Sequence, residues 1–203
     1  MAGPRRFPSI KRALFYIHQD LRTVIEGSNW WLEYGELSDL EILVLLLEDR
    51  RFFRHRGVDW LSVLRELFKC LTLRRHGGAS TIDMQFVRTK TGFKERTLRR
   101  KAYEMLLAYF LQYRLGKLAI LRNYLSIVYL GWGIKGIDQA ASAVYGKSTW
   151  NLDREQLAAI AAMMVYPLPK SPTEQWQEKV AKRAAYGLEL FTRHSGRYKQ
   201  SFE

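Results

Sequence analysis

Two glutamates of this 203-residue chain stand in sequence settings that suit acid–base chemistry at a sugar carbon. Glu48 opens a dense motif over residues 48–57, and Glu104 closes a short basic motif over residues 100–104. Two carboxyl groups in differently charged surroundings can divide the roles of base and acid between them. The cations beside Glu104 suit a phosphate leaving group. The pattern therefore indicates glycosyl transfer from a sugar diphosphate.

The elements that must position these groups are predicted to be helices, because apolar residues recur at steps of three and four. Ser38 and Glu41 predict a capping box that opens a buried helix ending near Glu48. A carboxyl group at the C-terminal end of such a helix has its charged form disfavoured by the dipole and by desolvation, which favours a base. The alternative is an ordinary glutamate that ends a helix in solvent.

A second helix is predicted from Thr97 to about Tyr113. Arg100 and Lys101 lie four and three residues before Glu104, so all three share one face of this helix. On an exposed helix such a pair contributes only about 0.3–0.5 kcal/mol. In a substrate site the same residues would form a charge cluster.

Other candidate motifs are better explained by a structural role, such as a helix cap or a tight turn, than by a catalytic or nucleotide-binding role. Ser80 and Thr81 are expected to cap a helix and to offer hydroxyl groups to a ligand, since no nucleophile elbow accompanies them. Residues 131–136 match G-x-G-x-x-G, but the chain lacks the alternating strands and helices of a dinucleotide-binding fold. These glycines are expected to allow a tight turn and close packing. His55 is expected to fix the loop that follows it.

The composition excludes several classes of protein. The chain carries 33 Lys and Arg against 20 Asp and Glu, a formal net charge of +13, which favours an anionic partner. Its single cysteine, Cys70, excludes an internal disulfide. No apolar run approaches the about 18 residues of a membrane span, and the N-terminal apolar run is too short for a signal peptide.

Taken together, the segments resemble the peptidoglycan glycosyltransferase domain, glycosyltransferase family 51, of class A penicillin-binding proteins and monofunctional transglycosylases. The family's first motif, E-D-x-x-F-x-x-H-x-G, is complete over residues 48–57. Its second, G-x-S-T-I-T-x-Q, matches residues 78–85 except that Asp83 replaces threonine, and its third, R-K-x-x-E, is residues 100–104. The fourth and fifth motifs are present with three departures from the usual residues, at Arg122, Ser126 and Val144.

This resemblance implies a mainly α, lysozyme-like fold of two lobes with a cleft, one lobe of which dips into the membrane. It implies that lipid II is polymerised into β-1,4-linked glycan strands with inversion and release of undecaprenyl diphosphate. By the same resemblance Glu48 is the general base, and Glu104 assists departure of the diphosphate, directly or through a divalent ion, Mg²⁺ or Mn²⁺. No organic cofactor is implied. The residues that the resemblance assigns to substrate binding are Ser80, Thr81, Gln85, Arg88, Arg100 and Lys101.

The motifs also predict how the chain is organised. Residues 1–39 are expected to form an amphipathic helical lead-in, residues 40–172 the glycosyltransferase domain, and residues 173–203 its C-terminal helix and polar tail. The apolar face of the lead-in, over residues 14–25, is expected to pack on the core. Asp153 predicts the cap of a helix that runs to about Val165.

Location and partners follow from the resemblance. It implies association with the outer, periplasmic face of the inner membrane, although neither a signal peptide nor a transmembrane helix is evident in the sequence. The expected partners are lipid II, the growing glycan strand, the membrane surface and cell-wall synthesis proteins, and not nucleic acid. Since no transpeptidase motifs follow, we expect a monofunctional form.

Three rival functions stay open on sequence alone. Asp83 adds a negative charge near a site for an anionic donor, where it could weaken binding or hold a metal. With Arg122 it motivates a catalytically impaired relative that binds glycan or cell-wall machinery. The basic run over residues 94–101 motivates a nucleic-acid binder, although no zinc spacing or aromatic RNA-binding signature accompanies it. A lysozyme-like hydrolase of finished peptidoglycan would need no diphosphate, so Lys101 would matter little to it.

Overall fold

The computed structural model describes residues 10–71, 78, 80–93, 95 and 97–199, and within them the chain is mainly helical, as predicted. Lys94 and Arg96 of the predicted basic run, the first nine residues of the lead-in and the last four of the tail lie outside the described residues. The α-helices in chain order are α1 (Ile10–Ile25), α2 (Asp39–Glu48), α3 (Trp60–Leu71), α4 (Ile82–Thr91), α5 (Leu98–Leu111), α6 (Lys117–Ile127), α7 (Ile137–Tyr145), α8 (Arg154–Ala162) and α9 (Glu174–Lys199).

The chain divides into two compact units. Unit 1 comprises Met1–Glu33 and Arg51–Asn123, and unit 2 comprises Tyr34–Arg50 and Tyr124–Glu203. The polypeptide passes from one to the other after Glu33, after Arg50 and within α6. Each unit therefore combines segments that are distant in sequence.

Unit 1 is built on the mutual packing of α1, α4 and α5. Its core includes Phe86 and Leu107, both fully buried. The expectation that the apolar face of α1 packs on the core holds only for the C-terminal half of the helix. Val24 is fully buried there, and the Tyr103 hydroxyl donates to the buried Asp20 at 2.8 Å, whereas Leu14 is 60% exposed. The first turns of α1 thus leave Leu14 and Phe15 exposed.

Unit 2 is built on α2, α8 and α9, which pack on one another. The predicted capping box at the start of α2 is confirmed, because the Glu41 amide donates to Ser38 Oγ at 3.2 Å and the Ser38 amide donates to Glu41 Oε2 at 2.7 Å. Asp153 caps α8 as predicted, but that helix ends at Ala162 and residues 163–165 form turns.

The glycine-rich segment of unit 2 forms a short antiparallel hairpin of β1 (Tyr129–Gly131) and β2 (Ile134–Lys135). Gly136, with φ of 83°, follows the hairpin, and a Cβ at this position would lie 2.4 Å from the Ser126 carbonyl oxygen. The predicted turn and close packing are confirmed here, and α7 begins immediately after.

Among the residues that the structure describes, no helix is long and apolar enough to cross a membrane.

Candidate active site

Glu104 is the buried centre of a charge cluster in unit 1. Glu104 lies on α5, and Thr97, the residue before this helix, is its N-cap. The Thr97 Oγ1 accepts a hydrogen bond from the Arg100 amide at 3.1 Å. One turn further on, Arg100 Nη1 donates to Glu104 Oε1 on the same face of the helix. The Glu104 residue is only 1% exposed, so its carboxyl group lies inside the unit rather than on an open helix face. The i,i+4 spacing has therefore produced a buried ion pair.

A second set of contacts ties the segment before α4 to this cluster. Lys101 Nζ donates to Ser80 Oγ at 2.5 Å. Thr81 is the N-cap of α4, as predicted, since its Oγ1 accepts from the Met84 amide at 3.3 Å, and the same hydroxyl donates to the Gly57 carbonyl at 2.6 Å. These hydrogen bonds join the second motif to the third and to the end of the first.

Gly57 makes the close approach of the end of the first motif to α5 sterically possible. Its φ is +79°, and a Cβ there would lie 2.3 Å from the Ala108 carbonyl oxygen. Both the backbone conformation and the close approach to α5 require glycine. The glycine that ends the first motif thus allows the loop to lie directly against the helix that carries Glu104.

Burial and neighbouring charges both shift the pKa values of Glu104 and Lys101. Burial raises the pKa of Glu104, and the cations Arg100, Arg88 and Lys101 partly offset that rise. Burial likewise lowers the pKa of Lys101; Glu104 opposes this change, while Arg88 and Arg100 add to it. One carboxyl group among three cations leaves an excess of positive charge that a multiply charged anion would neutralise.

We expect the raised pKa of Glu104 to appear in the pH dependence of stability. Between the ordinary pKa of a glutamate, about 4.3, and the raised value, the folded state binds more protons than the unfolded state. The free energy of unfolding therefore falls as pH rises through this window. Since Glu104→Gln removes this titration, the wild-type midpoint of denaturant unfolding should fall relative to that of the variant as pH increases. Glu178→Gln, at an exposed glutamate, is the control. A wild-type midpoint that rises relative to that of Glu104→Gln as pH increases would contradict the assignment.

The remaining predicted substrate residues of unit 1 lie on α4. Arg88 is exposed and lies near enough to influence both Glu104 and Lys101. Gln85 is half-buried one turn after the cap, its amide donating to the Thr81 carbonyl at 3.0 Å. The structure therefore gathers Ser80, Arg88, Arg100, Lys101 and Glu104 in one cluster, with Thr81 and Gln85 on the adjoining turn of α4.

Glu48 is the last residue of α2 in unit 2, and it has a partner that the sequence analysis did not identify. Arg183 Nη2, from α9, donates to Glu48 Oε1 at 2.6 Å and to the Leu47 carbonyl at 3.1 Å. The Glu48 side chain is 13% exposed. The arginine thus orients one carboxylate oxygen and also binds a carbonyl at the end of α2, a position where cations are favourable.

Further contacts fix α9 against this end of α2. Arg50 Nη2 donates to the Tyr186 hydroxyl at 2.5 Å, and the Tyr198 hydroxyl donates to the Arg50 carbonyl at 3.1 Å. Gly187 packs so closely that a Cβ there would lie 3.1 Å from Leu47 Cδ1. Sequence reasoning predicted a helix here without a role.

A match to the transglycosylase family covers residues 20–192. The chain belongs to the transglycosylase family. This match extends beyond the motifs at both ends, and it includes α9 as far as residue 192 and therefore Arg183. The family predicted from the five motifs is confirmed.

The proteins to which this chain is similar differ in length. A Cupriavidus necator protein named as a transglycosylase is 34% identical over 174 residues, which cover 85% of this chain and 69% of the relative. A biosynthetic peptidoglycan transglycosylase of Acinetobacter baumannii is 31% identical over 68% of this chain and 62% of its own length. Penicillin-binding protein 1A of Clostridium tetani is 32% identical over 75% of this chain but only 19% of its own length. The chain thus spans less than two thirds of the last two relatives.

Proposed function

We propose that this chain is a peptidoglycan glycosyltransferase that joins lipid II units into β-1,4-linked glycan strands. The observation that carries the proposal is the buried Glu104 with Arg100, Lys101 and Arg88 around it. A carboxyl group inside an excess of positive charge suits the departure of an anionic diphosphate. The family match and the relatives named biosynthetic peptidoglycan transglycosylases support this class of enzyme.

The reaction requires one proton transfer and one displacement at a sugar carbon. The 4-hydroxyl oxygen of the acceptor GlcNAc forms a bond to C1 of the donor MurNAc, and Glu48 accepts the hydroxyl proton. The bond from C1 to the diphosphate oxygen breaks, and its electron pair leaves with undecaprenyl diphosphate, so the configuration at C1 inverts. Arg183 holds Glu48 Oε1 at 2.6 Å, which fixes the orientation of the carboxylate before the acceptor binds.

The cations of unit 1 act on the leaving group. Negative charge accumulates on the diphosphate as its bond to C1 breaks, so fixed cations stabilise the transition state more than the bound substrate. Lys101 and Arg100 are held in place by Ser80 and Glu104 and need little rearrangement. Glu104, whose protonated form is favoured by burial, assists departure of the diphosphate as an acid.

The predicted divalent ion rests on the family resemblance. The protein groups around Glu104 do not fit a resident ion, because a single carboxyl group bonded to Arg100 lies among cations that would repel a metal. The chain's own cations therefore neutralise the diphosphate.

The membrane surface is the proposed location of the reaction, because the substrate carries a lipid. Unit 1 exposes an apolar face on α3, whose large side chains at this face are between 57% and 66% exposed. Arg65 and Lys69 lie on the same helix and suit anionic headgroups. The exposed apolar residues of α3 are Trp60, Leu61, Leu64, Leu67 and Phe68.

We expect Phe68→Glu to weaken binding to vesicles of anionic phospholipid by at least about tenfold, since burying one such side chain is worth about 1.5–3 kcal/mol. Trp150→Glu replaces another exposed aromatic residue in unit 2 and should bind as the wild type does. Co-sedimentation measures both variants. Equal losses in the two variants would show that added negative charge, and not the face of α3, determines binding.

Polymerisation of labelled lipid II in detergent tests the proposed function directly. The wild type should form glycan strands, and Glu104→Gln should form them far more slowly. No product from folded wild-type protein would favour the impaired relative that only binds glycan. Salt-sensitive binding to DNA, unchanged in Glu104→Gln, would instead favour the nucleic-acid binder.

A further inference from the structure

The tip of the β1–β2 hairpin in unit 2 presents an exposed tryptophan. Trp132 is 65% exposed, and the glycines on both sides of it, Gly131 and Gly133, have no side chain that could cover its ring. At Gly133, where φ is +74°, a Cβ would meet no atom within 4 Å, so the space beside the tryptophan is open. Trp132 belongs neither to the charge cluster around Glu104 nor to the pair that Glu48 forms at the end of α2.

Backbone contacts hold this tip against the segment that follows α8. The Trp132 amide donates to the Leu168 carbonyl at 2.9 Å, and the Leu168 amide donates to the Leu130 carbonyl at 2.8 Å. Gly131 forms a parallel bridge with Leu168, and a Cβ at Gly131 would lie 2.6 Å from Leu168 Cβ. The exposed ring is therefore carried by an ordered backbone, so a ligand that binds the ring has little chain to order.

A cation accompanies the ring. Lys170, which is exposed, places its Nζ 4.9 Å from the centre of the Trp132 ring. An ammonium group within about 6 Å of an indole face is attracted to it, so this contact keeps the lysine beside the tryptophan. Within the described part of the chain, no carboxylate forms an ion pair with this ammonium group. The pair thus offers an apolar ring and an uncompensated positive charge to the solvent.

These two groups match the chemistry of a peptidoglycan strand. The face of a sugar ring that carries C–H groups stacks on an aromatic ring, and the peptide stems of a strand that is not cross-linked end in carboxylates, which an ammonium group attracts. A lipid surface favours a helix face of several apolar side chains, as on α3. A nucleic acid also combines rings with anions, but it is bound by a groove of cations along its backbone, whereas Lys170 is held at the ring itself.

We propose that Trp132 and Lys170 form a binding subsite for the glycan strand, in which the indole stacks on a sugar ring and the ammonium group pairs with a carboxylate of a peptide stem. This inference rests on the proposed function, which supplies the strand as its product. The subsite binds glycan that has already been joined, so it takes no part in proton transfer or in departure of the diphosphate.

Soluble glycan strands, prepared with and without their peptide stems, test the subsite without any turnover. We expect Trp132→Ala to weaken binding of both kinds of strand by about tenfold, within the range found when one stacking aromatic ring is lost. Trp132→Tyr, which keeps an aromatic ring, should retain most of the affinity. Lys170→Met should weaken binding only of strands that keep their stems. Isothermal titration calorimetry measures each dissociation constant.

The matched controls are Trp150→Ala, at another exposed tryptophan of unit 2, and Lys147→Met, at an exposed lysine, and both should bind as the wild type does. Equal affinities of Trp132→Ala and Trp150→Ala would overturn the subsite. Loss of binding to phospholipid vesicles or to single-stranded DNA in Trp132→Ala, with binding to glycan unchanged, would also overturn it. The proposed function fails separately, because strand binding that depends on Trp132 in a wild type that joins no lipid II would overturn the polymerase and leave the subsite standing.

Discussion

Glu48→Gln is expected to lower glycan-strand formation by about 10²–10⁴-fold, the usual contribution of a general base. Glutamine keeps the shape of the side chain and can still accept the hydrogen bond from Arg183. The variant should therefore fold and bind substrate, because only the group that takes the acceptor proton is lost. The expected change lies in the rate of elongation at saturating lipid II and not in the concentration that half-saturates the enzyme.

Glu189→Gln is the matched control for this experiment. Glu189 lies on α9 and also bonds an arginine, Arg193, but that pair is exposed and i,i+4 in the same helix. Its loss should leave elongation unchanged. Full activity of Glu48→Gln, with the control also active, would remove Glu48 from the chemistry and require another base.

Lys101→Met should lower glycan formation by about 10²–10³-fold, the scale found when one group that stabilises developing negative charge is removed. Methionine keeps most of the aliphatic side chain but can neither bond Ser80 Oγ nor face the diphosphate with a charge. Lys182→Met is the control, since Lys182 forms an exposed pair with Glu178 on α9. Initial rates with labelled lipid II measure both variants.

The same variant separates synthesis from hydrolysis. A lysozyme-like hydrolase acts on finished glycan that carries no diphosphate, so Lys101→Met would leave release of soluble fragments from peptidoglycan intact. Loss of polymerisation without any hydrolysis by the wild type would agree with the proposed function. Fragment release by both proteins would contradict it.

Local sequence signals predicted the helix starts well. Ser38 with Glu41, Thr81 and Asp153 were all recognised as caps, because a capping side chain bonds amide groups within three residues of itself. The predicted end of α8, at about Val165, lies beyond its observed end at Ala162, since alanine and methionine favour helix and no nearby glycine marks the stop.

Local sequence patterns do not predict contacts between residues that are far apart in sequence. Glu48 and Arg183 are 135 residues apart, and no local pattern relates them. Sequence alone places the charge of Asp83 near the site for an anionic donor, where it could weaken binding or hold a metal, because it does not show that Lys117, 34 residues later, contacts it. Burial also changes the importance of the Arg100–Glu104 pair. Such a pair contributes little free energy on an exposed helix, but here it is a main interaction of the cluster around Glu104. In each case the tertiary fold, and not propensity, decided what the side chain does.

The position of α9 has a consequence for how the protein comes into being. Glu48 leaves the ribosome long before Arg183, and at about 5–20 residues per second the 135 residues between them take roughly 7–27 s. During that interval a nascent chain can complete α2 and every signature motif and still lack the residue that orients the base. A product cut short just before α9 would carry every signature motif and would lack the arginine that bonds Glu48.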